Sequence, residues 1–415
     1  MSKQINISAG LDLHKVFIEA AILTPDNNYL HQRFNRNKEE IMHLRDWLCE
    51  HEVEVVACES TSDYWLPVYT IINPYIPVIV GNAYDMKVCL HKKTDELDAE
   101  HIAQLARAGM VSPSRIFLDE AREFRSMTRL RHKLVQYRTS IKNQVHHILE
   151  SLELRLSRVL SDIFGKTGTI ILEGIINGMS VDKIFAKLTP KMASKLATFK
   201  EALMENISPE AIARLASCLK ILKNMNEHIK ELTIAARNAG KELHNRDLEI
   251  AMSMPGIGEV SALTLISEIG NPGDFSSGEK IVSWFGLAPR VYQSAGKLYV
   301  GSITKRGTTT GRWALNQIAH AAIRAKDNAF RRFYESKAPV IGKKKAIMAV
   351  ARKILVVLWH LLTHDEFYSD ETYKSVKQPK NIYIKVPNRE LTLKEVFSIF
   401  TEAHIALKEA DSGGS

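Results

Sequence analysis

Short apolar runs and amphipathic stretches alternate between residues 5 and 110. Residues 5–12 alternate into an apolar strand, 16–23 form a second strand and 29–34 a weaker third. Ile41, Leu44, Trp47 and Leu48 recur at helical spacing and predict a helix over 38–50. The β-branched run 53–58 reads as a buried central strand, a helix follows Ser62, and 76–80 reads as another buried strand. A helix over 95–108 places Ile102, Leu105 and Ala106 on one face, with Thr94 as its N-cap. Three early strands followed by alternating helix and strand predict an α/β domain with a mixed sheet over 1–115.

The rhythm then changes. Leu130, Leu134, Tyr137, Ile141, Ile148 and Leu152 repeat every three or four residues, which predicts a long helix with a coiled-coil seam within 118–165. A second helical stretch, 208–245, carries Leu215, Leu222, Met225, Ile229 and Leu232. The two pair as an antiparallel hairpin or build a dimer stalk, so 116–247 reads as a helical linker and assembly region. The stretch 165–200 is mixed in character. Residues 248–364 read as a mostly helical domain, opened by the tight turn Met254-Pro255-Gly256-Ile257-Gly258 and a helix over 261–269. Residues 365–411 read as an appendage of weak strands and one helix. Ser412-Gly413-Gly414-Ser415 reads as an appended flexible linker.

Hydrophobic residues make up 45% of the 415 and charged residues 25%, which excludes collagen-like and wholly disordered chains. The longest apolar runs, such as 354–359, fall far short of the ~20 residues of a membrane span. The first eight residues show no signal-peptide pattern. Cys49, Cys58, Cys89 and Cys218 lack Cys-x-x-Cys spacing and read as reduced thiols of a cytoplasmic protein. Net charge is +9, yet residues 290–353 hold fifteen Lys and Arg against Asp327 and Glu335, a local +13 that leaves −4 for the remainder. Such clustering is the footprint of a polyanion, and nucleic acid is the commonest one. No long basic amphipathic helix with aromatic anchors is present, so a membrane surface is the weaker reading.

Four acids stand out against this background. Asp12 closes the first strand, Glu59 follows the buried strand 53–58, and Asp95 and Asp98 share one face of a helix at i, i+3. A strand-end Asp is often a turn former, and Asp-x-x-Asp in a first helical turn often only complements the helix dipole. Converging at the carboxyl edge of a sheet, however, such hard oxygens bind Mg²⁺ or Mn²⁺ and suit phosphodiester chemistry.

Two blocks then resemble a known family. Gly10-Leu11-Asp12-Leu13-His14-Lys15, Cys58-Glu59-Ser60-Thr61-Ser62-Asp63-Tyr64-Trp65 and Lys93-Thr94-Asp95-Glu96-Leu97-Asp98-Ala99 make the first. The second runs from Met254 to about Arg324, through Trp284-Phe285-Gly286-Leu287-Ala288-Pro289-Arg290, Gln293-Ser294-Ala295-Gly296-Lys297 and Ile303-Thr304-Lys305-Arg306-Gly307. Together they cover most of 5–325 and resemble the DEDD insertion-sequence transposases of the IS110 group, described as bridge-RNA-guided serine recombinases. Many relatives carry Thr-Gly after the Glu where this chain has Ser60-Thr61-Ser62, a departure that removes no ligand.

The resemblance implies an N-terminal RuvC-like (ribonuclease H-like) fold, long coiled-coil helices and a helical transposase domain with a helix-hairpin-helix-like turn. It implies Asp12, Glu59, Asp95 and Asp98 as a Mg²⁺-binding acidic tetrad. It implies Ser294 as the nucleophile that joins DNA covalently, with Ser302 as its rival; Ala295-Gly296 matches the small residues after the family's serine. A serine hydroxyl is a weak nucleophile until positioned, and Arg290, Lys297, Lys305, Arg306 and Arg312 supply charge around a phosphodiester. Gly256 and Gly258 open a helix whose amides suit a DNA backbone, although a plain structural turn looks the same.

The expected partners are therefore donor and target DNA, a structured guide RNA, and further copies of the chain as a dimer or tetramer, in the nucleoid-associated cytoplasm of a bacterium. One site built from two domains, within a chain or between protomers, is the corresponding expectation. Competing readings are a RuvC-like nuclease that needs no serine, a non-catalytic nucleic-acid scaffold, and a sugar-kinase-like ATPase, which lacks the later glycine motifs.

Overall fold

The computed structural model describes residues 5–60, 62–82, 86, 94–117, 119–154, 156–197, 207–294 and 297–370, with backbone alone over 291–294 and 297–300. The expected elements at 371–415, Cys89, and the Ala295-Gly296 pair lie outside the described residues. The chain divides into two compact units, at Phe117 and Leu118.

In the first unit, β1 (Ser8–Leu13), β2 (Phe17–Leu23) and β3 (Tyr29–Asn35) form an antiparallel meander. Helix α1 (Lys38–Glu50), β4 (Val55–Glu59), α2 (Trp65–Ile72) and β5 (Val78–Gly81) follow, then α3 (Asp95–Arg107). The sheet order is β3-β2-β1-β4-β5, with β4 and β5 parallel to β1. This mixed sheet is the one the alternation predicts, and it fits a RuvC-like arrangement.

Strand alternation sends the two faces of β1 to different neighbours. Ala9, Leu11 and Leu13 join Ile41, Leu44, Leu48, Val68 and Ile72 in the core beneath α1 and α2. Ser8, Gly10 and Asp12 lie on the other face, toward α3. There the Ser8 hydroxyl donates to the Ala103 carbonyl at 2.8 Å. A Cβ at Gly10 would stand 2.0 Å from the Ala99 carbonyl oxygen, so only glycine lets α3 lie this close to β1.

In the second unit, α4 (Asp119–Ser151) spans 33 residues. Three short helices follow, α5 (Lys166–Ile176), α6 (Val181–Ala186) and α7 (Pro190–Lys195), and then α8 (Pro209–Met252), 44 residues interrupted by a kink at His244. Helices α4 and α8 run antiparallel within one chain: Arg131 donates to Thr233 at 2.7 Å and Arg138 to Asn226 at 3.0 Å. The face of α4 that packs inward carries Phe124, Thr128 and His132 and then Val145, Ile148 and Leu149. Of the predicted seam, Ile148 is buried and Ile141 and Leu152 pack against the same core, whereas Leu130 is 51% exposed and Tyr137 49% exposed.

The remainder is α9 (Glu259–Ile269), α10 (Gly278–Trp284), the hairpin β6 (Pro289–Ser294) and β7 (Lys297–Ile303), α11 (Thr309–Arg324), α12 (Ala329–Ile341) and α13 (Lys343–His364). They enclose a core that includes Phe124, Leu265, Phe285, Leu315 and Leu355. Helix α13, at 22 residues, is long and apolar enough to cross a membrane, a length the apolar-run reading did not register. Its apolar positions Val350, Ile354, Leu358 and Leu361 are all fully buried in this core.

Candidate active site

Asp12 sits next to the carboxyl end of β1, and the pairing of Leu11 with Cys58 makes Glu59 its counterpart on β4. The Thr94 hydroxyl caps α3 by accepting the Leu97 amide at 3.3 Å. That cap fixes the first turn, which bears Asp95 and Asp98. The contact at Gly10 lays this turn beside β1. As a result, ligand atoms of Asp12, His14 and Asp95 all lie within 4.8 Å of one another. His14 Nε2 is 2.8 Å from Asp12 Oδ2 and 3.4 Å from Asp95 Oδ1.

Burial pushes the Asp12 carboxyl above its ordinary range; His14 pulls it down, and Asp98 and Asp95 raise it further. Carboxylates gathered beside an imidazole are the donor set of a divalent cation. Asp12, Asp95 and His14 fit such an ion. Asp98 acts on the same locus through its charge, and Glu59 stands at the end of the neighbouring strand without joining the close cluster.

Three residues of this face escaped the sequence reading. His14 was within the quoted Gly10–Lys15 block but carried no assigned role. Glu19 pairs with Asp12 across β2 and is almost fully buried, an acid in the middle of the apolar strand Phe17–Leu23. Arg33 faces Glu19 from β3, donates to it at 2.7 Å, and lies 4.0 Å from Asp95. The signal for Glu19 was its place on the Asp12 side of a two-residue alternation, which becomes visible only once register is known.

In the second unit, Ser294 closes β6 opposite Lys297, so it belongs to a strand end and not to a free loop. Ser302 and Arg290 lie near the other end of the same hairpin. The base of the hairpin is tied down by the Thr304 amide donating to Ala288 at 2.8 Å and the Lys305 amide to Gly286 at 3.1 Å. Lys305 and Arg306 are exposed beside it. The Arg312 guanidinium instead donates to the carbonyls of Phe285 and Gly307, and burial lowers its pKa. Gly256 has φ +86°, and a Cβ there would meet the Ala322 amide nitrogen at 2.6 Å, so this turn is pressed against the backbone of α11. Gly258 caps α9 with open space around its Cβ position.

Both halves of the chain match transposase families. A family model for the DEDD transposases of IS110 elements matches residues 9–153. The model of the Transposase IS116/IS110/IS902 family matches residues 248–335. The chain belongs to the IS110-family DEDD transposases. It is 25% identical over 279 residues to the transposase for insertion sequence element IS1111A of Coxiella burnetii, covering 66% of this chain and 68% of that one. It is also 25% identical over 279 residues to a probable family 20 transposase of Pseudomonas aeruginosa, covering 66% and 74%. A pilin gene-inverting protein of Moraxella bovis is 22% identical over 372 residues, covering 85% and 94%.

Proposed function

We propose that this transposase exchanges DNA strands through a covalent serine intermediate, using an acidic metal-holding cluster in its first unit and Ser294 in its second. The observation that carries the reading is the convergence of Asp12, His14 and Asp95 at the carboxyl edge of the sheet, within 4.8 Å. Asp12 and Asp95 would hold a divalent ion, Mg²⁺ or Mn²⁺, with Glu59 and Asp98 in its acidic surroundings. When bound, that ion supplies Lewis-acid charge at a scissile phosphate. Arg33 and buried Glu19 keep the Asp95 end of the cluster in place.

The Ser294 hydroxyl gives up its proton to solvent as its oxygen forms a bond to phosphorus, while one phosphorus–oxygen bond of the DNA backbone breaks. The departing deoxyribose oxygen takes up a proton, and religation reverses the exchange on a new strand end. Arg290, Lys297, Lys305 and Arg306 offset the charge that develops, and the Gly256–Gly258 turn adds a contact to backbone. A guide RNA paired with donor and target DNA supplies sequence choice, which leaves the protein to hold backbone and shape. A second copy of the chain packs on the seam of Leu130, Leu134, Tyr137 and Ile141, whose heptad spacing the hairpin of α4 and α8 leaves open at Leu130 and Tyr137. Kinship with a pilin gene-inverting protein suits recombination by strand exchange.

The test is a denaturant-resistant protein–DNA adduct, formed with copurified RNA, labelled target DNA and Mg²⁺. Ser294→Ala abolishes the adduct, and Asp12→Asn reduces it at least 100-fold. Cleavage that persists unchanged in Ser294→Ala would replace this reading with a RuvC-like nuclease.

A further inference from the structure

Trp313 is 40% exposed on the first turns of α11, an uncommon place for so large a ring. It forms one wall of a cavity of about 580 Å³ that α4 and the start of α11 build together. Arg129, His132 and Lys133 line it from α4, and Thr309 and Trp313 from α11. None of these residues belongs to the acidic cluster or to the serine hairpin.

Several donors face this cavity, alongside the Gln136 amide and the threonine hydroxyls. The Thr308 side chain caps α11 through the Gly311 amide, at 3.1 Å, which leaves the amides of Thr309 and Thr310 without an intrahelical acceptor at the positive end of a 16-residue helix. His132 is only 8% exposed. The Gln136 amide group lies 3.0 Å from its Nε2, an arrangement that puts the ring proton on Nδ1. Among the described residues that Nδ1 has no hydrogen-bond partner. Burial lowers the His132 pKa, so the ring is neutral and asks for an acceptor, not a counter-charge. Arg125 and Arg129 share the single carboxylate of Glu268, so the wall keeps a positive excess to which Lys133 adds. Trp313 and His132 lie with ring centroids 4.2 Å apart and planes tilted by 49°, so the indole alone offers an exposed aromatic surface beside the donors.

We infer that this cavity holds one unpaired nucleotide of a nucleic-acid strand, its phosphate on the Thr309–Thr310 amides, His132 and Lys133, and its base against Trp313. Helix-end amides beside Lys133 and the arginines select an anion, and the exposed Trp313 ring selects one that carries a flat ring. The inference rests on the chain handling nucleic acid, but not on the serine chemistry. It adds to that chemistry a place where a strand leaves its duplex or bends out of its stack.

The experiment uses the full chain and a short single-stranded oligonucleotide with one 5-iodouridine. Photocrosslinking followed by peptide mapping places the uridine on Trp313. Binding by anisotropy weakens about tenfold in Trp313→Ala and again in Lys133→Ala, against a wild-type circular dichroism spectrum, in line with the cost of losing one base stack. Crosslinks that map elsewhere, or affinities within twofold of wild type, overturn the inference. So does equal binding of blunt duplex, or full competition by inorganic phosphate at the oligonucleotide's concentration. A chain that forms the Ser294 adduct yet shows no effect of Trp313→Ala loses only this site. A chain that binds through Trp313 but forms no adduct loses only the serine reading.

Discussion

Glu268 is 0% exposed, and it is the carboxylate on which the start of α4 is fastened to α9. Arg129 donates to it from Nε at 2.6 Å and from Nη2 at 3.0 Å, and Arg125 donates from Nε at 2.9 Å. Arg125 is itself largely buried, whereas Arg129 is half-exposed and free to turn toward water. Glu268→Gln keeps the shape and removes the charge, leaving the Arg125 guanidinium without its counter-ion. Breaking a buried pair in this way costs about 3–5 kcal/mol, and the exposure of Arg129 places this case near 3. In a unit as long as Leu118–Ser415 that lowers the melting temperature by roughly 5 °C. The assay is thermal unfolding followed by tryptophan fluorescence, because Trp284 donates to the Glu268 backbone carbonyl at 3.2 Å and reports on this locus.

The sign of the pH dependence follows from the same contacts. Burial raises the Glu268 carboxyl, but the guanidiniums outweigh it and hold the folded pKa below the ordinary value of 4.5. Its contribution is therefore complete above that value and fades as pH falls through the lowered one, so wild type and Glu268→Gln converge in acid. A drop of less than 2 °C in Glu268→Gln at neutral pH would refute the argument. In the triple variant Arg125→Met, Arg129→Met, Glu268→Leu most of the loss returns, since apolar residues leave no charge unpaired. A triple variant as unstable as the single one would assign the cost to packing instead.

Two further outcomes follow from contacts described above. Gly10→Ala sets a Cβ against the backbone of α3 and destabilises the first unit by about 1–3 kcal/mol, read from the urea midpoint; an unchanged midpoint would mean that β1 and α3 do not lie as described. Leu130→Glu with Tyr137→Glu shifts the sedimenting species to monomer while leaving the melting temperature within about 2 °C, because surface substitutions of this kind act within about 0.5 kcal/mol. An oligomer that survives both charges refutes the seam.

What could be read in advance was whatever depends on local pattern. Each strand and helix of the first unit follows from runs of four to thirteen residues, and Thr94 as a cap follows from its own side chain. The placement of Asp12, Asp95 and Asp98 on β1 and on the first turn of α3 was legible because strand ends and first helical turns can be located one element at a time. Glu19 and Arg33 were not, because their connection to Asp12 is a row across three strands and exists only in the register of Asp12 with Glu19 and Glu19 with Arg33. The hairpin from Pro289 to Ile303 was missed for a related reason. Its strands are held by each other, and its base is held by backbone bonds to Gly286 and Ala288, which no side-chain periodicity announces.

Helix α4 shows a pattern that points to the right face over one half and to the wrong face over the other. Apolar spacing selects Leu130, Leu134, Tyr137, Ile141, Ile148 and Leu152, and Ile141, Ile148 and Leu152 do pack into a core, yet toward the start of the helix the buried face carries Thr128 and His132. Those polar residues are tolerated there because they find partners: the Thr128 hydroxyl lies 2.7 Å from that of Ser267, and His132 meets Gln136 and Trp313. A helix read only for apolar periodicity assigns such a face to solvent. The consequence is that α4 carries two working faces, an apolar one open at Leu130 and Tyr137, and a polar one that fastens Glu268 and ends in the cavity beside Trp313. A 33-residue helix in which both faces are committed has little freedom to rotate about its axis. In the proposed oligomer, a partner copy seated on the first face also holds the second in register. It would then fix the wall proposed to hold the unpaired nucleotide, so Leu130→Glu with Tyr137→Glu is expected to weaken crosslinking at Trp313 although neither residue lines the cavity.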